Sequence, residues 1–193
     1  MTNRPPGLRA FVALAIDAEA RSALGRTRAA LQAEPWAEGV RWSPPENLHL
    51  TLDFLGEIPA GTVAPLMDAL EERLRDVAPF TCTLDGLALF PNAARPHAIV
   101  GRVTEESSIG TLATAVTEAV AVLGHEPEKR PFRPHITLGR FRGRAPRELS
   151  LAAGLERVPV PVSEVVLYKS TLASSGSSYE VLGRVPLAPY GEA

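Results

Sequence analysis

The 193-residue chain contains one cysteine, Cys82, and that scarcity removes two functional classes. A single thiol forms no intramolecular disulfide, and no site needing several thiolate ligands can be built from it. Cys82 lies in the apolar stretch Phe80-Thr81-Cys82-Thr83-Leu84 with no base near it in sequence, so it reads as a core residue rather than a nucleophile. Long apolar runs are missing too. None reaches the roughly 18–20 residues needed to cross a bilayer. The start, MTNRPPGLRA, has neither the apolar segment nor the small-residue cleavage site of a secretory leader. A cytoplasmic protein with no membrane partner is expected. Charge of one sign is absent as well: 20 Lys and Arg against 22 Asp and Glu leave a net charge of −2, which excludes a generally basic nucleic-acid coat. There is no His-Glu-x-x-His spacing and no cluster of Asp, Glu or Cys ligands beside His49 or His135, so neither a metal nor another cofactor is expected.

What the chain does have is a repeated tetrapeptide. His49-Leu50-Thr51-Leu52 recurs as His135-Ile136-Thr137-Leu138, and two of the four histidines are used in it. From composition alone a histidine is followed by Thr at +2 and Leu at +3 about once in a hundred times. Each copy has the apolar neighbours of a β-strand, in which residues two apart share a face. Every copy therefore sets a His and a Thr side by side, backed by apolar residues aimed at a core. A lone histidine on a half-buried strand is most often structural; the doubling reverses that inference, because imidazole exchanges protons near neutral pH.

The remaining pattern is strand and helix in alternation. Leu8 to Ile16 reads as a buried strand, and Ala18 to about Ala33 as a helix with Asp17 at its N-cap. Val40 to Trp42 is extended, and a Ser43–Asn47 turn delivers the first motif strand, Leu48 to Leu55, which Gly56 is expected to end. Val63, Leu66, Met67, Leu70, Leu74 and Val77 mark an amphipathic helix with Met67 as core filler. Strands follow at Phe80–Phe90 and His97–Val103, and then a second amphipathic helix on Ile109, Leu112, Val116, Val120 and Leu123, closed by Gly124. After the second motif come a short helix near Ala145–Ala153 and two strands, about Val162–Leu172 and Tyr179–Val185, joined by a serine-rich turn. The two motif histidines lie 86 residues apart, close to half the chain. This order predicts an α+β fold in which two pseudo-symmetric lobes each bring one motif strand to a shared central cleft, all within one domain spanning residues 1–193.

Two imidazoles facing across a cleft supply a general acid and a general base, and two threonine hydroxyls beside them can donate to the oxygens of an anion. That set suits in-line displacement at a phosphodiester. Local charge agrees: Lys129, Arg130, Arg133, Arg140, Arg142, Arg144 and Arg147 fall in one span with no Asp or Glu between Lys129 and Arg147. Such a run beside the second motif attracts phosphate, although Arg144 and Arg147 read better as solvated surface. By strict alternation Asp53 shares the His49/Thr51 face, and is expected at the cleft rim. Trp42 and Phe54 are candidates for stacking on a nucleobase, with apolar packing the better account of each. His97 and His125 lack a threonine partner and receive no role.

The segments Trp42 to Glu57 (WSPPENLHLTLDFLGE) and Arg130 to Arg140 (RPFRPHITLGR) closely resemble the two signature regions of the RNA 2′,3′-cyclic phosphodiesterases, also called 2′-5′ RNA ligases, of the two-histidine phosphoesterase superfamily. The resemblance extends to Phe11–Leu14 and to the terminal LYKSTLASSGSSYEVL region. It implies two α+β lobes with antiparallel sheets and catalytic His49 and His135. Thr51, Thr137 and Arg140 would then bind the substrate phosphate. By strand parity Arg140 points away from His135, so a bend or bulge near Gly139 is required.

The implied activity is metal-independent hydrolysis of a terminal RNA 2′,3′-cyclic phosphate to a 2′-phosphomonoester, with ATP-independent 2′-5′ joining as the reverse. The implied partner is RNA bearing such ends, tRNA fragments among them, and a monomer is expected. Two alternatives stay open: a related hydrolase of small cyclic nucleotides or ADP-ribose cyclic phosphate, and a non-catalytic RNA-end binding module.

Overall fold

The computed structural model describes residues 7–104, 106–121, 124–125, 131–146, 149, 151, 154–173 and 176–188. Its strands are β1 (Gly7–Ala15), β2 (Val40–Trp42), β3 (His49–Pro59), β4 (Phe80–Phe90), β5 (Ala98–Thr104), β6 (His135–Phe141), β7 (Val158–Val162), β8 (Glu164–Ala173) and β9 (Gly176–Pro186). The helices are α1 (Ala18–Gln32), α2 (Val63–Leu74) and α3 (Glu106–Ala121). Asp17 does cap α1: its Oδ1 accepts from the Ala20 amide at 2.9 Å. No helix among the described residues is long and apolar enough to cross a membrane.

All strand pairs are antiparallel and join into one curled sheet in the order β7-β4-β5-β6-β3-β1-β8-β9, with β2 paired to β6. The family resemblance implies an antiparallel sheet in each of two lobes. The two halves are instead fused, and the join is narrow: β3 meets β6 through the single pair Leu50↔Ile136. From that seam three further strands run outward on each side.

The helices cover one face of the sheet. Leu24 of α1 approaches Gly101 of β5, Met67 of α2 lies against Gly183 of β9, and Thr117 of α3 reaches β3. Their apolar stripes are the ones the periodicity marks: Leu66, Leu70 and Leu74 on α2, and Ile109, Leu112, Val116 and Val120 on α3, all buried. A fully buried side chain of this size contributes about 1.5–3 kcal/mol, so these stripes anchor the helices to the sheet. Cys82 and Met67 both belong to the core and its margin.

Two elements differ from the sequence pattern. Gly56 does not end β3; it sits at φ +65° and the strand continues to Pro59. Residues 158–162, Val-Pro-Val-Pro-Val, form a strand that the sequence pattern does not mark, since proline is rare within a sheet. β7 pairs only with β4, so it is an edge, where a missing amide donor is harmless if it faces outward. The short helix expected over 145–153 lies mostly outside the described residues.

Gly139 of β6 holds β2 close. A methyl group there would lie 2.6 Å from Val40 Cγ1 and 3.1 Å from Trp42 Cε3. Gly139→Ala should therefore force β2 outward and cost about 1–3 kcal/mol, read as a lower urea midpoint. Gly183→Ala should cost less, because the atoms it meets belong to the flexible end of Met67.

Candidate active site

The Leu50↔Ile136 pair fixes the relation of the two motifs. In that antiparallel register the flanking positions are His49 beside Thr137 and Thr51 beside His135. Leu50 and Ile136 are buried toward the helices, so by alternation all four polar residues face the open side of the sheet. The two histidines are then diagonal neighbours, for which about 7–8 Å is usual. That spacing leaves room for a tetrahedral anion between the rings.

Both motif strands carry a register slip immediately after the threonine. Against β1, Val12 pairs with Asp53 and Ala13 with Thr51, leaving Leu52 as an extra residue. Against β5, Ile99 pairs with Gly139 and Val100 with Thr137, leaving Leu138 extra. An extra residue reverses the alternation beyond it. On β6 this is the bulge that Arg140 requires, and Arg140 now shares the His135 face. On β3 the same slip overturns the expectation for Asp53. The carboxylate is not at the cleft rim but turned to the helix face, 6 % exposed. There Thr117 Oγ1 donates to its Oδ2 at 3.4 Å, and His125 Nε2 lies 3.9 Å from its Oδ1.

Each imidazole is oriented by the backbone two residues earlier. His49 Nδ1 is 2.7 Å from the Asn47 carbonyl, and His135 Nδ1 is 2.7 Å from the Arg133 carbonyl. A carbonyl only accepts, so both Nδ1 atoms carry hydrogen and donate. Nε2 is left as the nitrogen able to meet a substrate. The Thr51 hydroxyl donates to His49 Nε2 at 3.1 Å. Asn47 also ties down the β8–β9 hairpin, its Nδ2 donating to the Ser177 carbonyl at 2.6 Å.

Aromatic rings wall both histidines. Phe11 lies 4.8 Å from the His49 ring, and Tyr179 meets it edge-on at 5.2 Å, while Phe90 stacks on His135 at 4.3 Å. None of these was singled out from sequence: they come from strands far from the motifs and share no spacing with them. Phe54 also stands on the cleft face, 6.1 Å from Phe11, and is 60 % exposed, so its ring is available for contact. Trp42 is not brought to the histidines. It packs beside Trp36, at 6.5 Å, and over Gly139, on the face opposite Arg41. A groove of about 910 Å³ opens beside His135, lined in part by Phe90, Arg102, Thr114, Glu118 and Arg133.

Of the basic run, Arg140 acts on both rings. Arg133 donates to the Pro91 carbonyl at 2.7 Å with its guanidinium 5.1 Å from the Phe90 ring centre. Arg142 and Arg144 are exposed, and Lys129, Arg130 and Arg147 lie outside the described residues. Among the described residues, no group of three His, Cys, Asp or Glu side chains is arranged to hold a metal ion.

Burial is the main cause that lowers both histidines from the ordinary 6.5; their backbone hydrogen bonds oppose it, and the Arg140 cation lowers both further. Unfolding restores the ordinary value. The stability from keeping each ring neutral is thus full above pH 6.5, and is lost as pH falls toward the folded value. In an NMR titration of the free protein the His49 and His135 ring protons should move with midpoints below 6.5. Added phosphate should raise at least one midpoint, since an anion beside a ring favours its cation.

A family model described as "LigT like Phosphoesterase" matches residues 14–100 and 103–179. The chain belongs to this LigT-like phosphoesterase family. It is 36 % identical over 187 residues to an RNA 2′,3′-cyclic phosphodiesterase of Thermus thermophilus, covering 93 % of this chain and 90 % of that one. It is 35 % identical over 191 residues to an RNA 2′,3′-cyclic phosphodiesterase of Geobacillus stearothermophilus, covering 94 % of this chain but spanning only 58 % of that relative's length. The crystal structure of TT0787 of Thermus thermophilus superposes with a TM-score of 0.79 at 30 % identity, over 96 % of this chain and 100 % of that one.

Proposed function

We propose that the chain is a metal-independent phosphodiesterase that opens a 2′,3′-cyclic phosphate at the end of an RNA, leaving a 2′-phosphomonoester and a free 3′-hydroxyl. One observation carries this reading. Two histidines meet across the Leu50–Ile136 seam, each with Nδ1 tied to a backbone carbonyl, and Arg140 bears on both. The names of the family's relatives agree with the substrate.

His135 Nε2 accepts a proton from water as the water oxygen attacks phosphorus. The P–O3′ bond breaks, and His49 Nε2–H gives its proton to O3′. Arg140 and the two threonine hydroxyls hold the non-bridging oxygens. The Thr51–His49 bond fits this assignment. When His49 is protonated, Nε2 becomes the donor and the Thr51 oxygen accepts, which releases the hydroxyl hydrogen for a phosphate oxygen. With a 5′-hydroxyl in place of water, the same opening of the P–O3′ bond joins two RNA ends through a 2′-5′ diester. Water is abundant and a second RNA end must be bound and oriented, so hydrolysis dominates in dilute solution.

We further take the chain as one domain acting as a monomer. In it two pseudo-symmetric lobes, fused at the seam, each supply one His-x-Thr strand.

Turnover of a short RNA ending in a 2′,3′-cyclic phosphate, with the product's 3′ end identified, is the direct test. His49→Ala or His135→Ala should lower kcat by about two to four orders of magnitude with a much smaller change in RNA affinity. Wild-type turnover in either variant would make that histidine structural, and tight binding without any turnover in the wild type would leave only an RNA-end binding module. Activity should survive excess EDTA, and loss that zinc, magnesium or manganese restores would sink the two-histidine mechanism. The dependence of kcat/KM on pH should be a bell whose two limbs belong to the coupled pair, and bound phosphate should carry the alkaline limb of kcat to higher pH.

A further inference from the structure

Arg41, the middle residue of β2, has no part in the hydrolysis described above, yet it lies directly across the ladder from Arg140 of β6. Residues paired in this way put their side chains on one face, and like charges so placed oppose each other. Arg142 follows just past the end of β6. All three are exposed, and with Phe141 they line a hollow of about 250 Å³.

Several cations elsewhere on the described surface stand with carboxylates, Arg26 with Glu156, Arg73 with Glu118, Lys169 with Glu180 and Arg184 with Glu164, while Arg9, Arg95, Arg144 and Arg157 are exposed single cations. What sets Arg41 and Arg140 apart is that they face each other across one ladder. Among the described residues none of Arg41, Arg140 and Arg142 has such a partner. A repelling pair without a counter-charge, at the margin of a phosphate-handling cleft, is arranged for an anion larger than one phosphate. Arg140 bears on the histidines, while Arg41 stands one strand farther out, on β2. Two phosphates separated by one nucleoside would match two adjacent guanidinium groups. An RNA 3′ end presents such a pair: the cyclic phosphate and the diester on its 5′ side. A nucleoside 2′,3′-cyclic monophosphate presents only the first.

We propose that Arg41, supported by Arg142, forms a second phosphate subsite that holds the phosphodiester on the 5′ side of the terminal nucleotide, so that the substrate is an oligonucleotide end rather than a mononucleotide. This rests on the cyclic phosphodiesterase reading. The subsite would supply binding that does not differ between ground state and transition state, and so would act through KM.

The test compares kcat/KM for adenosine 2′,3′-cyclic phosphate, for a trinucleotide ending in that group, and for the same trinucleotide with an uncharged methylphosphonate in place of its last internal diester. The wild type should prefer the charged trinucleotide by about tenfold or more, the scale of one charge-assisted hydrogen bond. The neutral linkage should remove that preference without any change to the protein. In Arg41→Gln the ratio of trinucleotide to mononucleotide kcat/KM should fall toward one, through KM, and Arg41→Lys should retain part of it. Rising salt should shrink the wild-type ratio as well. Equal kcat/KM on charged and neutral trinucleotides, or an Arg41→Gln loss identical on all three substrates, would overturn the second subsite while leaving the hydrolase standing. No turnover of any of the three by the wild type would overturn the hydrolase reading itself.

Discussion

One buried contact between two aliphatic side chains, Leu50 against Ile136, holds the candidate site together. It is the only backbone pairing between β3 and β6 among the described residues, and so the only ladder contact joining the two halves of the sheet. The flanking residues on its open side are His49, Thr51, His135 and Thr137. The apolar pair sets the strand separation and the register, and these decide which polar residue faces which. A one-residue slip there would turn a histidine into the core and a leucine into the cleft. The same seam explains the burial that lowers both imidazoles, because rings at the line where the two halves meet are shielded from both sides.

The two bulges then make the halves unlike. After Leu52 and after Leu138 the alternation reverses at the same place in each motif, so the position five residues beyond each histidine turns to the open face. In the first copy that position is Phe54, and in the second it is Arg140. Identical backbone irregularities thus present an apolar ring on one side of the cleft and a cation on the other. The site therefore differs from side to side, although the tetrapeptides that build it are nearly the same.

Much of this was legible in the sequence because it depends on periodicity. The helical stripes of α2 and α3, the Asp17 cap, the buried β1 and the shared face of each His-Thr pair follow from spacings of 3.6 and 2. What was not legible depends on exceptions to those spacings or on backbone atoms. Strict alternation misplaces Asp53 because it cannot contain the extra residue at Leu52, whereas the matching bulge at Leu138 follows only from the role that the resemblance gives Arg140. The carbonyls of Asn47 and Arg133, which fix the imidazole tautomers, have no side-chain signature at all. Phe11, Tyr179 and Phe90 reach the histidines through strand order, which a linear pattern does not encode. The fusion of the sheet is hidden for a similar reason: a join of one residue pair leaves no stretch of sequence long enough to mark it.

The proline pattern of β7 reaches beyond the fold of a single chain. Val158, Val160 and Val162 are buried while Pro159 and Pro161 are exposed, and β7 is paired on one side only. Proline cannot donate to the β4 ladder, so the inward donors are valines and the outward positions are those without an amide hydrogen. That border of the sheet cannot template a tenth strand, whether from another molecule or from a misfolded copy of the same one. With the β7 border closed in this way, copies of the chain cannot propagate an open filament by pairing the β7 border of one with the β9 border of the next.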